Sequence, residues 1–140
     1  MASYLLDTGL VLRHLRGQRR VVSFLRNLSK SERLSIATVT RLEVHAGMKP
    51  DERYATQKLL SRLAVYDLDR TIADKAGDLI AASTKSGRVL GMPDAIIAAM
   101  AISNNLTLVT LNLNDFRNIT GLSTHALDED LRRPVTSPPG

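Results

Sequence analysis

Four short apolar runs, each separated from the next by stretches of helical spacing, constrain this chain more than any other feature. They are SYLL at 3–6, RLSIATV at 33–39, LAVYDL at 63–68 and LTLVT at 106–110. The first stops abruptly at Asp7 and reads as a strand buried on both faces. Helices are expected at 8–16 and 19–29, broken at Gly17, and along TRLEVHAG, closed by Gly47. Further helices fit 50–63 opening at Pro50, about 70–86 capped by Asp69, and about 93–104 stopped at Asn104-Asn105. LNLNDF forms a loop or short helical turn, and a weak fifth strand is expected near 122–126. Alternating strands and helices specify an α/β domain with a mainly parallel sheet and helices on both faces. Ligand sites in such sheets lie beyond the carboxyl ends of the strands.

With 140 residues, 44% of them apolar, the chain can bury a real core. Residues 1–131 read as one domain and 132–140, RRPVTSPPG, as a frayed tail. The absence of cysteine excludes a disulfide scaffold, a thiolate metal site and a cysteine nucleophile, and fits the cytoplasm. No run approaches the ~18 apolar residues of a membrane helix, and no signal peptide opens the chain. The net charge of +5 is local: residues 1–33 hold seven Lys and Arg against Asp7 and Glu32. Such a patch suits a polyanion or, more plainly, a solvated helix face.

The polar groups expected at the sheet's carboxyl edge are acidic. Asp7 follows the first strand; Asp115 follows the fourth, with Asn112 between them. If these strands are neighbours, the groups meet. Asp94 heads the apolar helix of GMPDAIIAAMA, where Pro93 and the helix dipole also suit it structurally. On TRLEVHAG, helical rotation places Glu43 within an apolar stripe of Val39, Leu42 and Ala46, with Val44 and His45 elsewhere. Local roles exist for each: helix capping by Asp7, a turn at Asp115, an ion pair for Glu43. All would have to hold at once. Clustered carboxylates without a cationic partner repel, and a divalent cation relieves them. Oxygen-only ligands select Mg²⁺ or Mn²⁺, the ions of a phosphodiester hydrolase. His14, His45 and His125 lack ligand spacing and read as surface or satisfied side chains. Asp67 and Asp69 also end a strand, but an edge strand, where helix capping suffices.

YLLDTGLVLRHL, LSIATVTRLEVHAG and MPDAIIAAMAISNNLTLVTLNLNDF, with their spacing, resemble the PIN-domain family, in particular VapC-type ribonuclease toxins of toxin–antitoxin pairs. The likeness covers about residues 3 to 122. Gly9 stands where many relatives carry asparagine, and Leu111 where arginine is common. The resemblance implies a three-layer α/β/α sandwich with five parallel strands, a homodimer, a small antitoxin partner, and Mg²⁺-dependent cleavage of single-stranded or loop RNA. On it, Asp7 and Asp94 bind the ion, and Glu43 and Asp115 complete the catalytic site. Thr8, Thr110 and Asn112 support them, and Arg13, Arg19 and Arg20 contact RNA. A catalytically silent PIN module for RNA binding or scaffolding is the main alternative. A receiver-type phosphoacceptor domain needs a lysine after its last strand, and this chain offers no matching one after 106–110.

Overall fold

A computed structural model describes residues 3–125. Five strands, β1 (Ser3–Leu6), β2 (Arg33–Ala37), β3 (Ala64–Tyr66), β4 (Thr107–Val109) and β5 (Ser123–Thr124), form one parallel sheet in the order β3-β2-β1-β4-β5. β1 and β4 are therefore neighbours: Leu6 pairs with Val109, and the ladder continues as the Asp7 amide donates to the Val109 carbonyl at 3.0 Å. The helices are α1 (Thr8–Leu15), α2 (Arg19–Ser31), α3 (Thr38–Ala46), α4 (Arg53–Leu60), α5 (Arg70–Lys85) and α6 (Met92–Ser103). None is long and apolar enough to cross a membrane.

Alternation along each strand builds the three layers, because successive side chains leave a strand on opposite faces. Leu5, Ala37 and Leu108 join α5 and α6 in one core. Leu6, Ile36 and Val109 join α1, α2 and α4 in the other. Both faces are covered, as a parallel sheet requires. α6 is buried from Ala95 to Ala101, which explains its apolar character on every side.

The expected helix at 50–63 divides into a 3₁₀ turn (Pro50–Glu52) and α4. It ends early because Arg62 and Leu63 donate to the carbonyls of Leu59 and Leu60, three residues back. The second strand also stops at Ala37, two residues short of expectation, because α3 begins at Thr38. Leu113–Phe116 is a 3₁₀ turn. The expected fifth strand appears as the two residues of β5; position 126 and the tail at 132–140 lie outside the described residues.

Candidate active site

Asp7 is the fixed point. It leaves the centre of the sheet, is only 6% exposed, and is gripped by both carboxylate oxygens. Oδ1 accepts from the Thr8 amide at 2.8 Å, starting α1, and Oδ2 accepts from Thr110 Oγ1 at 2.7 Å. Thr110 is fully buried and in turn accepts from the Asn112 amide at 3.0 Å. Helix capping and site placement are therefore the same act. Burial pushes the Asp7 carboxyl above its ordinary range; the hydrogen bonds from Thr110 and Thr8 oppose this, and repulsion from Glu43 and Asp115 adds to it.

Glu43 meets this group through Thr8, whose hydroxyl donates to Glu43 Oε1 at 2.7 Å and lies 2.9 Å from Thr40 Oγ1. A hydroxyl has one proton, so with Thr8 donating to Glu43, Thr40 donates to Thr8. The expected apolar stripe is corrected here. Leu42 is 66% exposed and Ala46 is exposed, whereas Thr40 and Val44 form the buried side of α3. Glu43 sits half-buried at the margin of that side. Reading the stripe from apolarity alone failed because one of its members is a threonine, paired across to α1. Thr40 is the polar residue the sequence reading missed. Its signal is the i, i+3 spacing to Glu43.

Asp94 lies in the first turn of α6, half-buried, behind Gly91 as N-cap and Pro93 in the first turn. Burial, then the charges of Asp7, Asp115 and Glu43, push its carboxyl up to about 6. The four acids thus share one electrostatic field. Asp115 lies exposed in the Leu113–Phe116 turn, and its charge is felt by both Asp7 and Asp94. Asn112 is exposed and engages through its backbone.

Arg13 is half-buried near the end of α1, and Arg19 and Arg20 stand exposed on the first turn of α2. Among the histidines, the ring of His125 packs against Tyr4 and Phe24. His14 departs from expectation: its Nδ1 is buried with no hydrogen-bond partner, and burial, then Arg26 and Arg62, hold its pKa below the usual value.

As they stand, no three acidic or histidine side chains among the described residues converge tightly enough to hold an ion. The chemistry of the donor set nevertheless fits a hard cation. Its donors are carboxylate and hydroxyl oxygens, and the buried charge on Asp7 and Asp94 is mutually repulsive. Such an edge can accept a proton from water and hold positive charge beside a phosphodiester.

The model of the PIN domain matches residues 4–122. Ribonuclease VapC10 of Mycobacterium tuberculosis is 33% identical over 112 residues, covering 80% of this chain and 84% of that protein. The tRNA(fMet)-specific endonuclease VapC of Shigella flexneri is 30% identical over 129 residues, covering 89% and 97%. Among solved structures, a toxin–antitoxin complex from Klebsiella pneumoniae superposes with a TM-score of 0.72 at 29% identity, over 87% of this chain and 97% of that one. The span of the match takes in β1 through the approach to β5, and with it every acid of the site. The chain belongs to the PIN-domain family and, within it, to the VapC proteins.

Proposed function

We propose that this protein is a metal-dependent endoribonuclease that cuts single-stranded or loop RNA in the cytoplasm, and that it is the toxin of a toxin–antitoxin pair. The observation that carries the proposal is the buried Asp7, locked by Thr8 and Thr110 and repelled by Glu43 and Asp115. The ribonuclease and endonuclease activities of its relatives support this over a silent PIN module.

Asp7 and Asp94 would hold Mg²⁺ or Mn²⁺. When bound, such an ion neutralises their charge and that of the scissile phosphate, and lowers the pKa of a water. The protein's own groups do the rest. Thr110 and the Thr8 amide keep Asp7 in one rotamer, so ordering it costs nothing when substrate arrives. Glu43, oriented by the Thr40–Thr8 relay, accepts the proton of the attacking water. The new bond forms between water oxygen and phosphorus, the P–O bond to the leaving nucleotide breaks, and a proton goes to that oxygen. Asp115 completes the acid group; Asn112 is the lesser contributor. Arg13, Arg19 and Arg20 add charge for RNA phosphates.

A homodimer is part of the proposal, supported by Leu42 and Met92, exposed on two helices that pack together. A small antitoxin restrains the enzyme, as the toxin–antitoxin complex on the same fold supports. Incubating purified protein with RNA and Mg²⁺, with Mn²⁺ or with chelator tests the chemistry: cleavage is expected only with metal and not from Asp94→Asn. Metal-independent cleavage, or none at any metal concentration, defeats the proposal. Expression should arrest growth and a small neighbouring gene product should relieve it, while Asp94→Asn is harmless yet still co-purifies with that partner.

A further inference from the structure

A cavity of about 540 Å³ opens between the second half of α5 and the turn after β4. That volume is within the roughly 300–1,000 Å³ usual for ligand sites. Asp115 forms part of its wall, so it is continuous with the acidic edge. Its other charged lining differs in character: Lys75, Arg88 and Arg117 outnumber Asp78. Arg88 holds the wall together. Its Nη1 donates to the Arg117 carbonyl and its Nη2 to the Asn114 carbonyl, both at 3.2 Å. Those carbonyls flank Asp115, so Arg88 ties the turn that carries this acid to the segment that follows α5. Because the partners of Arg88 are neutral carbonyls, its positive charge stays available to a ligand. Leu79 and Ala82 supply an apolar floor and Asn118 a carboxamide.

We propose that this cavity receives the nucleotide next to the scissile phosphate of single-stranded RNA. The base lies against Leu79 and Ala82, its edge faces the Asn118 amide, and the flanking phosphate is drawn by Lys75 and Arg117. Unstacked bases are recognised in this way, by an apolar surface for the ring and a few polar groups for its edge. Lys75, Arg88 and Arg117 line the cavity together with Asp115, where the repulsion between phosphates and the acids must be offset. The inference rests on the ribonuclease reading and names where that enzyme reads its substrate.

Two substitutions test it without disturbing the fold. Ala82 is exposed on α5, and Ala82→Trp fills the cavity from the surface. Asn118 has a φ of +63°, so Asn118→Gly removes the carboxamide at a position glycine adopts freely. Each is placed in Asp94→Asn protein, and binding of a fluorescent mixed-sequence single-stranded RNA is measured with Mg²⁺ present. Each should weaken binding by about tenfold, equivalent to ~1.4 kcal/mol, with melting temperature unchanged. In the otherwise wild-type enzyme, KM should rise with kcat preserved, and base preference at one position beside the cut should flatten. If both variants bind RNA like their parent and keep its cleavage pattern, the cavity is not a nucleotide site. Failure of the ribonuclease reading would look different: cavity-dependent RNA binding by a protein that cuts nothing.

Discussion

Acids at the ends of two strands occupy formally equal places in this sheet and lead different lives. Asp67 and Asp69 follow β3; Asp7 follows β1. All lie beyond the carboxyl end of a parallel strand. β3 is an edge strand, and both acids after it are exposed. Asp69 uses Oδ1 to cap α5, accepting from the Ile72 amide at 2.8 Å. β1 is central, flanked by β2 and β4, and the chain departs there in opposite senses on either side. Asp7 is consequently walled by α1, by α3 through Thr8, and by Thr110 after β4. Both acids cap a helix. What separates them is desolvation and acidic company, and these come from position in the strand order.

The largest expected effect breaks the pair apart. Asp7→Ala should reduce RNA cleavage by about a thousandfold, the scale seen when a preorganised electrostatic group is removed, while leaving the protein folded. Glu43→Ala and Asp94→Ala should fall in the same class. Asp115→Ala should be severe and Asn112→Ala mild, because the charge of Asp115 reaches both Asp7 and Asp94 whereas Asn112 engages through its backbone. Single-turnover rates measure this, and the reverse order for the last two would exchange their roles.

The same contrast marks what could be read from sequence. Apolar runs and crossover rules specify a parallel sheet with β3 at its edge, but β1–β4 adjacency enters there only as a condition; the strand order meets it and sets Asp7 beside the turn that carries Asp115. Element ends did not follow. Apolarity carries Val39 on from β2, but the hydrogen bonds of α3 already begin at Thr38. The buried side of α3 was also hidden, because Thr40 is buried only by virtue of its hydroxyl partner on Thr8, thirty-two residues away in sequence. Periodicity finds apolar faces; it is blind to a face completed by a long-range polar pair. The orphaned Nδ1 of His14 is equally invisible to spacing, since it depends on what packs over α1.

A smaller effect sharpens the contrast from the threonine side. Thr110→Val keeps shape and removes the hydrogen bond to Asp7 Oδ2. It should cost about tenfold in kcat, consistent with the ~1.5–3 kcal/mol of a hydrogen bond to a charged group when part of that loss falls on the reaction. It should also raise the Asp7 pKa further, moving the acid limb of the rate profile to higher pH. An unchanged limb would show that Thr110 merely fills space. Ser35, whose Oγ donates to the Tyr4 carbonyl on the neighbouring strand β1, supplies the control: Ser35→Ala should leave the profile in place.

The next effect is on stability and has a definite sign. Asp94 rises to about 6 in the folded protein, above its unfolded value. Between roughly pH 4 and 6 the folded state therefore binds the extra proton, and stability falls as pH rises through that window. Asp94→Asn lacks this loss. Without metal, the variant should melt above wild type at pH 7, with the gap closing as pH drops through the window. Millimolar Mg²⁺ should raise the wild type more than the variant, because an ion bound only by the folded state stabilises it. Melting curves across pH with and without metal check both. A gap independent of pH would place the origin of the difference away from this titration.

The smallest effect belongs to the edge pair and completes the separation. Asp69→Ala removes the side-chain cap of α5 and leaves the Ile72 amide to water. Loss of an N-cap of this type costs about 1 kcal/mol, or roughly 3–6 °C in melting temperature for a domain of this size. α5 packs closely on α6, the helix that carries Asp94, so the loss registers in global unfolding rather than as local fraying. Cleavage at a temperature well below melting should be unchanged, since nothing in the capping contact touches the acidic edge. Asp69→Asn should recover most of the lost stability, because an amide oxygen caps nearly as well as a carboxylate. Equal kcat/KM for wild type, Asp69→Ala and Asp69→Asn would establish that a strand-end aspartate here works on the fold alone. A large loss of activity in Asp69→Ala that Asp69→Asn fails to restore would instead draw the carboxyl end of β3 into the substrate path, and the boundary between the two regions would have to move outward by two strands.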